Sequence, residues 1–159
     1  MMLEISNRIK SLKNSFYKFK FKILGAKIPP GAKFFGKPNY IGNLKNLKIG
    51  SGSTINHGVF FNCANEIKIG ANCRISTYSQ FHTGALFLSS KLRRDHYSKP
   101  IELYDDVWIS AGVIINPGVK IGRGSVIAPG SVVTKSIPEN EFHGGVPARF
   151  LKKINEDEL

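Results

Sequence analysis

The sequence predicts an all-β solenoid, a coil of short parallel strands wound around one apolar interior, and three observations predict it. Ile109, Ile115, Ile121, Ile127 and Val133 stand six residues apart without interruption, and Leu103 extends the series backwards. Four positions beyond successive members come Val107, Val113, Val119, Ser125 and Ser131, a second series of small or β-branched residues with the same period. Glycine follows the aliphatic residue at Ile49-Gly50, Ile69-Gly70 and Ile121-Gly122. A period of six matches neither a helix nor simple strand alternation. It fits short strands joined by tight bends, each hexad forming one flat face and each aliphatic side chain stacking on its equivalents in the coils above and below. Strands of a β-sandwich would recur every ~8–12 residues, with alternation inside each.

In chain order, residues 1–26 come first. Ile5, Ile9, Leu12, Phe16, Phe19 and Ile23 are spaced four, three, four, three and four, which predicts one amphipathic helix. Arg8, Lys10, Lys13, Lys18, Lys20 and Lys22 surround that stripe. Of a net charge of +12, residues 1–33 supply +7, from eight Lys/Arg against Glu4. With the excess confined to one segment and no nucleic-acid-binding signature, anionic cofactors and membrane surfaces are better expected partners than nucleic acid. The stripe is expected first to pack on the open end of the solenoid or between subunits, a use compatible with peripheral bilayer contact through residues 1–24. No apolar run spans a bilayer and the start lacks a signal-peptide pattern, so the expected location is the cytoplasm, including the inner face of its membrane.

Residues 27–135 carry the coil. Ile28 and Phe34 mark an early turn, Ile49, Ile55 and Phe61 hold one frame, and the frame then moves by two to Ile69, Ile75 and Phe81. Cys63 and Cys73 lack metal-ligand spacing and read as buried small apolar residues. The hexads stop between Thr83 and Pro100, so a loop over 83–100, carrying Lys91, Arg93, Arg94, His96 and Tyr97, is expected to leave the coil. Loops this long on a regular scaffold usually serve function. Residues 136–159 form a carboxy-terminal segment.

The run Ile109-Ser-Ala-Gly-Val-Ile-Ile-Asn-Pro-Gly-Val-Lys-Ile-Gly-Arg-Gly-Ser-Val-Ile-Ala-Pro-Gly-Ser-Val-Val-Thr-Lys135, followed by Gly145-Val-Pro-Ala-Arg149, closely resembles the hexapeptide-repeat acyltransferases, in particular their galactoside and maltose O-acetyltransferase branch. The resemblance covers roughly residues 25–152. It implies a left-handed coil, against the usual right-handed crossover, and a homotrimer. It also implies transfer of the acetyl group of acetyl-CoA to a small acceptor, with no metal.

Such a transfer needs a base for the acceptor proton, a donor for the developing oxyanion, and a scaffold for both substrates. Histidine is the natural base near neutral pH, and His57, His82, His96 and His143 are available. His82 is singled out because it follows Phe81, the last hexad residue before the break. In the resembled family the catalytic histidine starts such a loop, between an Ile-Gly hexad and a Val-Trp-Ile segment, here Ile69-Gly70 and Val107-Trp108-Ile109. Family members often carry Gly-His-Pro or Thr-His there, whereas this chain has Phe81-His82-Thr83. Asn62 resembles the family asparagine that lines the acceptor and thioester site, and Trp108 a tryptophan beside the acyl-donor channel. By the same resemblance the pantetheine arm passes Ala111 and Pro129, with Thr134, Lys135, Arg149 and Lys152 near the adenine and phosphate end. Cations there suit the charges of CoA, and Gly112 and Gly130 permit backbone amides to approach a ligand.

The expected function is O-acetylation of a saccharide hydroxyl, with a place in surface-polysaccharide synthesis. An N-acetyltransferase acting on an amino-sugar nucleotide is the nearest rival, and a non-catalytic β-helix scaffold is the rival of another class. The γ-type carbonic anhydrases share the scaffold, but their paired zinc-ligating histidines at five-residue separation are missing here.

Overall fold

A computed structural model describes residues 2–87 and 95–155. Three walls of parallel strands form a prism around the apolar interior. The first wall holds β1 (Lys33–Phe35), β4 (Thr54–Asn56), β7 (Arg74–Ile75), β12 (Trp108–Ile109) and β15 (Val126–Ile127), and ends on β17 (Glu141–Gly144) and the antiparallel β18 (Arg149–Lys153). In the second wall lie β2 (Asn39–Gly42), β5 (Phe60–Cys63), β8 (Gln80–His82), β13 (Ile114–Ile115) and β16 (Val132–Val133). The third contains β3 (Leu47–Ile49), β6 (Ile67–Ile69), β11 (Ile101–Leu103) and β14 (Lys120–Ile121). The coil is a left-handed parallel β-helix of about 5 turns.

Hexad residues stack in register along each wall. Ile55, Ile75, Ile109 and Ile127 form one column, Phe61, Phe81, Ile115 and Val133 a second, and Ile49, Ile69, Leu103 and Ile121 a third. All twelve are buried. Fully burying one such side chain stabilises by roughly 1.5–3 kcal/mol before conformational entropy is counted. The second hexad series is buried too, and its serines are satisfied internally: Ser125 Oγ donates to Pro138 O at 2.7 Å and Ser131 Oγ to Ala128 O at 2.7 Å. Cys63 and Cys73 are buried free thiols, each pushed up to about 11 by that burial.

The frame shift has a single location. Glu102 faces Lys120, eighteen residues on, whereas Leu47 faces Ile67, twenty residues on. Ile67 in turn faces Ile101, thirty-four residues on. Columns are six residues apart at the other corners, so every additional residue enters where the second wall turns into the third. The insertion after His82 leaves the prism at that same corner. It begins as a two-stranded antiparallel ribbon of β9 (Gly84–Leu86) and β10 (His96–Ser98), with the Phe87 and Tyr97 rings 4.7 Å apart. Lys91, Arg93 and Arg94 lie outside the described residues.

Helix α1 (Met2–Ile23) covers the first coil, but not with the stripe that the periodicity picks out. Phe21 is buried with its ring 5.6 Å from Phe34 and 5.2 Å from Tyr40, Tyr17 packs beside it, and Lys18 Nζ donates to Pro30 O and Ala32 O. Tyr17 and Phe21, one helical turn apart, form a second apolar strip whose aromatic rings fill the end of the prism. Ile9, Leu12, Phe16, Phe19 and Ile23 remain 48–71% exposed. Packing of that stripe on the solenoid is therefore corrected within the single chain. No helix among the described residues is long and apolar enough to cross a membrane.

Candidate active site

Strand alternation at β5 and β8 turns Phe61 and Phe81 inward and the next residue of each outward. The outward pair is Asn62 and His82, which stand directly opposite each other in the register. Both are half-buried and lie at the lip of the inserted ribbon. His82 Nε2 is 2.9 Å from Gln80 Oε1, and its ring centroid is 5.6 Å from that of Phe60. An amide oxygen only accepts, so in this arrangement Nε2 carries the hydrogen and Nδ1 keeps its lone pair. Burial holds the His82 pKa below the usual 6.5, which keeps the imidazole neutral. The Asn62 amide oxygen accepts from Ala64 N–H at 3.3 Å, while its Nδ2 lies over Gly84. Its nitrogen thus remains the group available to donate toward an oxygen outside the wall.

The other site residues occupy different edges. Ala111 and Gly112 form the corner between the first and second walls, and Pro129 and Gly130 form it one coil further on, with Gly130 N–H donating to Ala111 O at 2.9 Å. Gly112 and Gly130 both have φ +67 and no atom within 4 Å of where a Cβ would stand, so this corner is an open track. The track continues past Gly145, whose carbonyl accepts from Val132 N–H, to exposed Arg149 at the start of β18. Lys152 stands further along β18, opposite Phe142. Trp108 lies on the first wall, half exposed, with Nε1 donating to Ser76 Oγ at 3.3 Å. Thr134 and Lys135 follow β16 at the far edge of the second wall, the edge that carries His82.

One chain therefore brings Asn62 and His82 together, and separately aligns Ala111, Gly112, Pro129 and Arg149. The Ala111–Gly112 corner and the His82 edge are separated by the width of the second wall, about 13 Å at 3.3 Å per residue over four residues. Sequence reasoning missed Gln80 and Phe60, which fix and bury the imidazole. The signal was available, since residues two apart on a strand share a face. The remaining histidines have other partners: His57 meets the Tyr78 ring edge-on at 5.7 Å, His143 Nε2 is 2.7 Å from Glu141 Oε2, and His96 stands opposite Leu86 in the ribbon. Hydrogen bonds from His143 and Lys153 hold the Glu141 carboxyl below its ordinary range. Among the described residues no group of three or more His, Cys, Asp or Glu is placed to hold a metal ion.

Residues 105–135 match the family described as bacterial transferase hexapeptide (six repeats). Over 133 residues the chain is 33% identical to a galactoside O-acetyltransferase of Lactococcus lactis, covering 81% of this chain and 64% of that protein. It is 36% identical over 121 residues to the Escherichia coli galactoside O-acetyltransferase, covering 75% of this chain and 60% of the relative. The chain thus spans less than two thirds of the length of these two curated relatives. A hexapeptide-repeat acetyltransferase from Vibrio cholerae, solved in complex with acetyl-coenzyme A, superposes with a TM-score of 0.74 at 28% identity, covering 91% of this chain and 88% of that one. With the hexad columns, the matched repeats and these relatives agreeing, the chain carries the bacterial transferase hexapeptide repeat and is similar, over most of its own length, to the galactoside O-acetyltransferases.

Proposed function

We propose that the protein transfers the acetyl group of acetyl-CoA to a saccharide hydroxyl, with His82 as general base and Asn62 as oxyanion donor. The observation that carries this reading is the side-by-side placement of Asn62 and His82 on the outer face at the lip of the ribbon. The acceptor oxygen attacks the thioester carbonyl as His82 Nδ1 takes its proton. The carbonyl oxygen becomes an oxyanion next to the Asn62 amide, and collapse breaks the C–S bond. The proton held on His82 then passes to the departing sulfur, so the imidazole ends neutral. The acetyl-CoA complex of the Vibrio relative supports the choice of donor, and the names of the curated relatives support a sugar hydroxyl as acceptor.

The donor follows the open corner past Ala111, Gly112 and Pro129, with Arg149 and Lys152 toward its phosphates and Trp108 flanking it, while Thr134 and Lys135, on the His82 edge, reach it from the neighbouring copy. Because that corner and His82 stand on opposite edges of the wall within one chain, a homotrimer, in which the corner of one copy faces the His82 edge of the next, completes the site. The basic composition of the amino-terminal segment fits a place in surface-polysaccharide synthesis at the inner face of a membrane.

Acetyl-CoA turnover measured against a panel of mono- and oligosaccharides tests the reading. His82→Ala is expected to lower turnover by at least about 100-fold while donor binding persists, since base catalysis supplies ~10²–10⁴. Turnover retained in His82→Ala, or CoA release with no acceptor acetylated, overturns it.

A further inference from the structure

Helix α1 has two apolar faces, and only one is used within the chain. At 100° per residue, Tyr17 and Phe21 lie within roughly 40° of each other and face the prism, where Phe21 is buried. Ile9, Leu12, Phe16, Phe19 and Ile23 fall within an arc of roughly 80° on the other side of the helix. Their exposures, 48%, 71%, 61%, 61% and 68%, leave this arc in solvent. Isolated exposed apolar side chains are ordinary, but five aligned along four helical turns form a contiguous strip of the kind that marks an interaction surface.

The flanks of the strip identify what covers it. Arg8 and Lys22 project on one side of the arc and Lys13 and Lys20 on the other, and all four are exposed. Lys13, Lys33 and Lys37 line the cleft between α1 and β1, adding cations beside the helix. Glu4 is the only acidic residue among residues 1–33. An apolar strip bordered on both sides by cations matches a bilayer surface, whose acyl region takes the strip and whose anionic headgroups take the flanks. A second copy meeting the strip with its own α1 would set the same cations against each other, and an uncharged partner would leave them unmatched.

We propose that α1 docks on an anionic lipid bilayer through Ile9, Leu12, Phe16, Phe19 and Ile23. The helix lies in the interface plane, its strip entering the headgroup–acyl boundary by ~5–10 Å. Tyr17 and Phe21 simultaneously hold it to the first coil, so the prism is carried at the surface without a spanning segment. The proposal goes beyond the acetyl-transfer reading and does not depend on it, because none of these residues belongs to the site around His82.

The test is co-sedimentation of the full chain with phosphatidylcholine vesicles and with phosphatidylcholine–phosphatidylglycerol vesicles, at low and high salt. Oligomeric state is followed in parallel by analytical ultracentrifugation, and folding by circular dichroism. Binding is expected for the anionic vesicles only. It should weaken about fivefold for each cation removed, as in Lys13→Gln and Lys20→Gln, and weaken with added salt. Phe16→Ser combined with Phe19→Ser should lower partitioning at least about 100-fold, with folding, oligomeric state and turnover on a water-soluble acceptor unchanged. Absence of binding to anionic vesicles overturns the proposal, as does equal binding to neutral ones. Full binding by the folded double variant also overturns it. A double variant that dissociates the oligomer, while wild type ignores vesicles, assigns the strip to a contact between copies instead.

Discussion

Adding one methyl group at two glycines separates what holds the coil together from what the open corner is for. Gly70 lies where one coil rests on the next, and a Cβ there would stand 2.5 Å from Asp105 Oδ1, 2.6 Å from the Tyr104 carbonyl carbon and 2.7 Å from its oxygen. Two of those atoms are backbone, and Gly70 N–H donates to Leu103 O at 2.9 Å in the same contact, so the coils must part to admit the methyl group. Overpacking of this kind costs ~1–3 kcal/mol, and the rigidity of stacked backbone puts Gly70→Ala near ~3 kcal/mol. At about 2–4 °C per kcal/mol for a chain of this size, the expected fall in Tm is ~6–12 °C. At Gly112 the space is empty, and the cost of Gly112→Ala is only that of an L-residue at φ +67, ~1–2 kcal/mol. Its Tm should fall by ~2–8 °C. The new methyl group projects into the proposed donor track, so acetyl-CoA affinity should drop at least about tenfold, whereas Gly70→Ala should bind the donor as wild type does. Thermal unfolding at one fixed protein concentration and calorimetric titration with CoA measure the two quantities. Equal destabilisation by the two substitutions would refute the stacking argument. Unchanged donor affinity in Gly112→Ala would remove the corner from the donor path.

Phe81→Ala empties the second column between Phe61 and Ile115 and should cost ~3–5 kcal/mol, read as a lower denaturation midpoint with an unchanged slope. Asn62→Asp keeps the size of the side chain but loses the amide donor and adds a negative charge beside the developing oxyanion, so kcat should fall ~10²–10³-fold with little change in donor KM. Because burial lowers the His82 pKa, the neutral base persists as pH drops through 6.5, and the acidic limb of the kcat/KM profile should lie below that value. Gln80→Leu would remove the Nε2 partner and reduce kcat without displacing the donor; an unchanged pH profile and kcat would show that Gln80 does not position the imidazole.

The prism was legible from residue spacing alone, because each coil buries the same positions and the period therefore survives in the sequence as written. The two-residue slip was visible as a break in frame, but its cause was not. Leu47 and Ile67 are both fully buried at the corner that absorbs the added residues, and they look like ordinary hexad members until their partners are known. For α1 the periodicity identified a helix and an apolar stripe, yet not the packed side. Tyr17 and Phe21 form a shorter apolar strip, and only the shape of the first coil selects it over the longer one. His82 was singled out because it sits at the end of the repeats, and the structure sets it opposite Asn62 on the outer face of the second wall. The separation between its edge and the Ala111 corner was hidden, since sequence distance does not report which side of a wall a bend occupies.

The confinement of all additional length to one corner gives the molecule a seam. Residues can enter or leave the chain there while the three buried columns keep their alignment, because the strands on either side of the gap still meet partners in the same rows. The outer edge beside His82 is therefore the place where segments of different length and chemistry can be exchanged at least cost to the scaffold, while the stacked walls stay fixed.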